Sequence, residues 1–323
     1  MHILITGSAG FIGFHLSRRL LEIGYDLTLV DRFSDYYSQD LKRRRASSLE
    51  DSFGGKTLDI DLSQCHYMDL LRENQYSHII HLAGQPGVRV TRANQQTYLA
   101  DNVTAFSNIL NLALEIKVPN FIYASSSSIY QSAKISPFIE SENLSAPINF
   151  YARTKFIDEK LAESFSESIS NVCGLRFFSA YGPWGRPDMA YFKLFQAAYS
   201  GREFLLNGDG EISRDFTFVD DVIDSVLKLI DSNFALPKVL NIGGGNVHTM
   251  NELISNIEDI TGRKIDVSRL PENLQDLKAT NADTSLQKST LGDYPKIDLF
   301  HGLGVMDDWI KSLPDLDTFI KWR

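Results

Sequence analysis

The first thirteen residues constrain the fold more than any other stretch. Met1 leads into an apolar, β-rich run, His2-Ile3-Leu4-Ile5-Thr6, and Gly7-Ser8-Ala9-Gly10-Phe11-Ile12-Gly13 follows at once, ahead of helical periodicity over residues 12–23. Glycines at every third position of a strand-to-helix junction leave the backbone without Cβ atoms where a helix N-terminus offers free N–H groups and the positive end of its dipole. That arrangement suits a diphosphate. The spacing is GxxGxxG rather than GxGxxG, so an ordinary tight βα turn explains the glycines equally well until other residues are added. A second strand ending at Asp31 adds one, because a carboxylate there accepts hydrogen bonds from the adenosine ribose hydroxyls and repels a 2′-phosphate. NAD is therefore expected over NADP, although Arg32 next door is able to pair with such a phosphate. Phe11 and Ile12 are expected to line the same cradle. Asp59 and Ile60, closing a third strand, are candidate adenine contacts, and a strand-end Asp is as often only a turn residue.

The alternation continues along the chain. Strands are expected over residues 3–6, 27–30, 56–60, 78–82, 121–124 and 172–177, with helical candidates at 12–23, 91–116 and 151–166 between them. This pattern predicts an α/β fold, a Rossmann-type doubly wound parallel sheet covered on both faces. Regularity weakens past Tyr181, where Gly182-Pro183-Trp184-Gly185-Arg186-Pro187 and Asn207-Gly208-Asp209-Gly210 mark loops. A helix over 221–230 and a strand over 239–242 are expected to rejoin the first sheet. The expected organisation is a cofactor unit of residues 1–178, to which 214–243 return, and a second, smaller α/β substrate unit built from 179–213 and 244–323.

Charge and composition remove other classes. The chain has 32 Lys plus Arg against 41 Asp plus Glu, a net charge of -9, which argues against nucleic acid as a partner. The run Lys42-Arg43-Arg44-Arg45 sits among acids and reads as the solvated face of a helix. Cys65 and Cys173 belong to no ligand pattern, and His2, His15 and His81 read as packing or strand-end residues, so no metal is expected. No apolar run approaches a membrane span, and no charged n-region with an apolar h-region opens the chain. A soluble, cytoplasmic protein is expected.

Chemistry is suggested by Tyr151-Ala152-Arg153-Thr154-Lys155, where Tyr151 and Lys155 fall at i and i+4 on one helix face. A free phenol, with a pKa of about 10, is a poor base at neutral pH, and a neighbouring ammonium favours its phenolate. YxxxK by itself is usually a Tyr packed beside a solvated Lys. It gains weight from Ser125-Ser126-Ser127-Ser128, which follows the fifth strand at the carboxyl edge of the sheet, where doubly wound folds hold ligands. A serine there can hold a substrate oxygen against Tyr151, while some of the four serve only as a polar loop.

Taken together, the Gly7/Gly10/Gly13 loop, the serine cluster and Tyr151/Lys155 resemble the extended short-chain dehydrogenase/reductase family, in its nucleotide-sugar-modifying branch. The likeness runs nearly full length and is greatest to the UDP-glucuronate 4-epimerases, through Phe33-Ser34-Asp35-Tyr36-Tyr37, Gln85-Pro86-Gly87-Val88-Arg89, the fifteen residues from Arg176 to Ala190, and Arg214-Asp215-Phe216. The resemblance implies an N-terminal NAD domain and a C-terminal domain closing over a UDP-sugar. It implies Ser126 beside the catalytic Tyr151 with Lys155 as partner, Leu82, Ala83, Gly84 and Ser125 along the cofactor, and Asn102 on the cofactor side supporting the active-site helix. On the substrate side it implies Gln85, Ser127, Ser128, Ser179 and Asp276. Arg186 is the candidate cation for a uronate carboxylate, or else braces its loop; Arg214 is assigned to the UDP diphosphate, and Arg89 to either anion or neither. A homodimer and a place in polysaccharide biosynthesis are also implied. Gln131 stands where the family usually has Gly, Ser179 where relatives often have Thr or Asn, and Arg153 replaces a small residue and is expected to point outward. The implied reaction is 4-epimerisation through a 4-keto sugar; a UDP-glucuronate decarboxylase, a neutral UDP-hexose 4-epimerase and a catalytically silent NAD-binding sensor or scaffold stay open.

Overall fold

The computed structural model describes residues 1–165, 167–272, 277–293 and 296–322. Seven parallel strands form the central sheet: β1 (His2–Thr6), β2 (Asp26–Asp31), β3 (Thr57–Asp59), β4 (His78–His81), β5 (Asn120–Ser126), β6 (Asn171–Phe177) and β7 (Val239–Ile242). Their spatial order is β3-β2-β1-β4-β5-β6-β7. The order therefore reverses between β1 and β4, and a doubly wound sheet takes its ligand in the crevice beyond the carboxyl ends of such a pair. Both sheet faces are covered, so Ile3, Leu4, Ile5, Ile79 and Ile80 are all fully buried, which accounts for uninterrupted apolar runs in these strands. At the crevice, the Thr6 hydroxyl lies 2.8 Å from His81 Nδ1 and accepts a bond from the Ala83 N–H, tying the ends of β1 and β4 together.

Five helices matter for the site: α1 (Phe11–Glu22), α2 (Gln39–Phe53), α3 (Ala105–Glu115), α4 (Phe150–Ser164) and α5 (Val219–Ile230). The helix expected over 91–116 is present as one run, a 3-10 turn at Arg92–Asn94, a short α-helix at Gln95–Tyr98, a π-helical turn at Leu99–Thr104 and then α3, so its pitch widens part-way. The reason is two consecutive buried polar residues. The wider turn lets both face inward, Asp101 to the Arg32 guanidinium and Asn102 to the Gln85 backbone and the Thr154 hydroxyl. Thr154 lies on α4 between Tyr151 and Lys155.

The second half builds a three-stranded sheet from Val247–Thr249, Ser213–Phe218 and Ser179–Tyr181, and a parallel pair from Val267–Leu270 and Phe204–Asn207. Residues 213–218 thus stand in the small sheet, while β7 lies beside β6 in the large one. The aromatic core of this half, with Phe192, Phe195, Phe216 and Trp322, also takes in Tyr37 and Leu41 from the first half. Trp184 packs against both cores at a left-handed φ of 57°, its ring centroid 5.4 Å from Phe14 and 5.5 Å from Trp309.

The basic run is where the sequence reading needs correction. It does lie on a helix, α2, but Lys42 and Arg45 point inward and Arg45 is completely buried. Helical spacing makes this possible, since positions 42 and 45 share one face and 43 and 44 the other. The Arg45 guanidinium donates to the carbonyls of Ala9 in the glycine loop and of Trp184 and Gly185, and to the Tyr37 hydroxyl. Arg45→Met would leave those acceptors unpaired inside the protein, so urea unfolding should show a loss of about 3 kcal/mol or more. Arg43→Met, which breaks the exposed pair with Asp59 and the stacking of the guanidinium on the Phe33 ring, should cost only about 1 kcal/mol in the same measurement.

Candidate active site

A cavity opens over the carboxyl ends of β1, β2 and β4, lined by Gly7, Gly10, Phe11, Ile12, Gly13, Asp31, Ile60, Leu82, Ala83, Gly84 and Ser125. Two glycines in its floor cannot be anything else. A Cβ on Gly7, at a φ of +72°, would sit 2.7 Å from the Ala83 nitrogen, and one on Gly13 would sit 2.1 Å from the Gly7 carbonyl oxygen. Both obstructions are backbone, which cannot swing aside. Asp31 accepts bonds from the N–H groups of Phe33 (2.7 Å) and Ala9 (3.0 Å), and burial pushes its carboxyl up against those bonds. Lys42 donates to the Ser34 carbonyl and hydroxyl at the cavity wall, and burial pushes its ammonium down to about 8.

One cofactor-side expectation is corrected here and another is met in part. Asp59, the last residue of β3, lies outside the cavity, more than half exposed and paired with Arg43, and it is the segment after the strand, Ile60 and Asp61, that stands at the wall. Asn102 is completely buried behind the wall, where it accepts from the Gln85 N–H (2.6 Å) and donates to Thr154 Oγ1 (2.8 Å). It braces α4 through Thr154, as expected of it, and does so from behind the cavity wall. Arg32 is engaged by Asp101, at 2.5 Å, and stands near Asp61.

Tyr151 and Lys155 project from α4 into this cavity together with Ser126 from the end of β5. Asn149 starts the helix by accepting from the Ala152 N–H, and it also donates to the Val88 carbonyl at 2.6 Å. Gln131 accepts from the Asn149 N–H (2.7 Å), so this departure from the family pattern anchors the start of the active-site helix. Arg153 points outward and donates to the Pro147 carbonyl. The serines divide by role. Ser126 Oγ accepts from the Ser128 N–H and hydroxyl, whereas Ser125 donates to Glu159, whose carboxylate also grips Arg176 at 2.8 and 2.9 Å.

A second, wider cavity of about 500 Å³ adjoins the first, and Ser126, Tyr151, Phe177, Phe178, Arg186 and Met189 line both. Ser127, Ser128, Ser179, Arg89 and Arg214 line only the second, with Arg214 also donating to the Ser213 carbonyl. Gln85, expected beside the substrate, lines the first cavity instead, because its backbone is held by Asn102. Asp276 lies outside the described residues. Arg186 is held through Nε (3.0 Å) and Nη2 (2.6 Å) by the two oxygens of Asp188. Burial works against the charge on Asp188, and the Arg186 fork outweighs it, keeping the carboxyl below its usual range. Sequence reasoning quoted Asp188 within a motif without giving it a role. A carboxylate two residues from an arginine in a tight loop is a signal for such a pair. Tyr36, whose hydroxyl reaches Asp188 at 3.5 Å, was missed in the same way.

The loop carrying Arg186 is held from the first half at three successive carbonyls. His15 Nε2 donates to Pro183 at 2.9 Å, and Arg45 takes Trp184 and Gly185. Burial pushes His15 down to about 3, so the ring is neutral and serves as a donor. Among the described residues no group of three or more His, Cys, Asp or Glu is arranged to hold a metal.

The family model described as "NAD dependent epimerase/dehydratase family" matches residues 3–243. The chain belongs to that family. Its curated relatives include a probable UDP-glucuronate 4-epimerase of Rhizobium meliloti, 34% identical over 96% of each chain, and Protein CapI of Staphylococcus aureus, 33% identical over 96% of this chain and 98% of the other. Among solved structures, the UDP-glucuronic acid 4-epimerase of Bacillus cereus, in complex with UDP-glucuronic acid and NAD, superposes with a TM-score of 0.90 at 31% identity, covering 96% of this chain and 99% of that one. The residues of this family member fit NAD. The side-chain-free cradle at Gly7 and Gly13 stands at the start of α1, and the acceptor Asp31 faces the same cavity. Gly13→Ala should therefore weaken NAD binding at least about tenfold in calorimetric titration, because the helix start must shift away from the cradle.

Proposed function

We propose that this protein interconverts UDP-glucuronate and UDP-galacturonate by NAD-dependent 4-epimerisation, through a transient 4-keto sugar. The observation that carries the reading is the shared wall: Ser126, Tyr151 and Arg186 line both cavities at once, so a proton-handling pair and a carboxylate-binding cation face one reaction centre between two binding spaces. The cradle of Gly7, Gly10 and Gly13 with Asp31 would hold NAD, which when bound supplies the acceptor for the C4 hydride and returns it. Tyr151, as phenolate, takes the proton of the sugar 4-hydroxyl as the hydride leaves C4, and later gives it back to the carbonyl oxygen. The Lys155 cation stabilises that phenolate, and the Ser126 hydroxyl holds the sugar oxygen in place. The wide second cavity gives the keto sugar room to present its other face.

Arg186 bears on which sugar. Its Nε–Nη2 edge is spent on Asp188, so Nη1 and the remaining Nη2 proton form a second edge directed at a ligand carboxylate. A 4-keto uronate is a β-keto acid, and a firmly held carboxylate resists loss of carbon dioxide, which favours epimerisation over decarboxylation. Arg214 and Arg89, along the same cavity, are suited to the UDP diphosphate. In this reading residues 1–178 hold the cofactor, with β7 returning to them beside β6, and 179–213 with 244–323 hold the sugar nucleotide together with Arg214, which the small sheet carries to the second cavity.

Incubation with UDP-glucuronate should yield UDP-galacturonate on chromatographic separation of the products; UDP-xylose or a 4-keto pentose as main product defeats the assignment. Tyr151→Phe should lower turnover by about 10²–10⁴-fold while NAD stays bound, and retained turnover would put the base elsewhere. Arg186→Ala should raise KM for the uronate by about 10–100-fold, the worth of a charge-assisted bond, with much less effect on a neutral UDP-hexose.

A further inference from the structure

We propose that Asp158 is a positioning residue for the Tyr151–Lys155 pair, a buried counter-charge that keeps Tyr151 able both to take and to return the substrate proton. The proposal rests on the 4-epimerase reading above. Asp158 lies one turn beyond Lys155 on α4, with Oδ2 3.1 Å from Nζ, and both side chains are almost wholly removed from water. Its other oxygen, Oδ1, is buried with no hydrogen-bond partner among the described residues. A buried carboxylate oxygen without a donor is costly, and nothing in the packing of α4 on the sheet calls for it. The cost is intelligible if the negative charge acts on the one cation beside it.

The surrounding groups leave that task to Asp158. On α4, Glu159 is occupied by Arg176 of β6 and by Ser125. On β4, His81 faces Lys155 as a neutral ring, which burial pushes down to about 3. On β5, Tyr123 is buried, and its phenol is pushed well up by burial and by Glu159, so it stays uncharged. In the π-helical turn packed on α4, Asp101 is turned to Arg32. Burial pushes the Asp158 carboxyl up to about 7, against the pull of Lys155, so its charge appears only above that pH.

The chemistry gives such a partner a purpose. An epimerase uses its tyrosine twice in each turnover, as base and then as acid. An ammonium with no counter-charge in a dry site would hold the phenolate so firmly that the proton returns slowly, whereas a fully neutralised one would leave the phenol a poor base. A carboxylate behind the ammonium sets an intermediate field.

Asp158→Asn keeps the shape and a hydrogen-bonding group while removing the charge, and Asp158→Ser, which leaves room for a water, covers the case in which the amide does not fold. In the NAD-loaded protein the ultraviolet phenolate band of Tyr151 is isolated as the difference from Tyr151→Phe in each background. Loss of the carboxylate leaves more positive charge beside the phenol, so the band should appear at lower pH by about one unit. Wild type and variant should converge below about pH 7, where Asp158 is neutral, and separate above it. During turnover of UDP-glucuronate above that pH, reduced nicotinamide should accumulate several-fold more in the variant, because proton return is slowed. A phenolate titration unchanged by either variant, with only a lower Tm, overturns the proposal and leaves Asp158 as charge compensation for the fold. The titration needs no sugar substrate; a shifted band in a protein that does not epimerise UDP-glucuronate would sustain the role of Asp158 and defeat the epimerase reading alone.

Discussion

One buried guanidinium holds the two halves of the molecule in relation to each other. Arg45 joins the glycine loop, through Ala9, to the loop that carries Arg186, through Trp184 and Gly185, and His15 adds the preceding carbonyl from α1. Backbone carbonyls are acceptors only, and three in succession inside a protein require donors from somewhere. Here all the donors come from helices of the first half. The floor of the first cavity and the loop that carries Arg186 are therefore parts of one hydrogen-bonded unit, and Trp184, at a backbone conformation unusual for a bulky residue, packs into the cores on either side of it.

What the sequence made legible, and what it did not, divides by range of interaction. The parallel sheet, the reversal point and the glycine cradle follow from apolar periodicity and residues close in the chain, and Tyr151 and Lys155 from helical spacing. Arg45 and Lys42 were misread because a run of like charges among acids resembles a solvated face; Lys42 is turned inward by Ser34 nearby, and Arg45 in part by carbonyls some 140 positions away. Asp59 closes β3 and turns to Arg43, and the cavity is reached only by Ile60 and Asp61 beyond the strand end, a boundary that apolar periodicity does not mark. Asn102 supports the helix of Tyr151 and Lys155, as the resemblance implied, but stands behind the cavity wall where a place along the cofactor was also expected. A buried amide can bond a ligand or a neighbouring helix equally well, and only the neighbour's position decides.

The acidic balance of the chain also takes on a local meaning. Four of its cations are each matched to a carboxylate: Arg186 to Asp188, Lys155 to Asp158, Arg32 to Asp101, Arg176 to Glu159. Each match fixes a side chain whose long stem would otherwise sample many rotamers, and it lowers the cost of keeping charge out of water. Net charge describes none of this. A protein with an excess of acids can still offer anionic ligands a set of pre-aimed cations, provided that each keeps an edge free.

The wide turn between Leu99 and Thr104 has a consequence of its own. An ordinary helix rotates successive residues further apart and would turn one of them outward, so the wider turn is what lets two adjacent polar positions both face inward, Asp101 to the rim beside Arg32 and Asn102 to the brace behind Thr154. Register through this segment is then a shared resource. Loss of a single residue here would tighten the coil, swing one of the two side chains away from its partner, and force a choice between the edge of the cofactor cleft and the helix that carries the reacting groups.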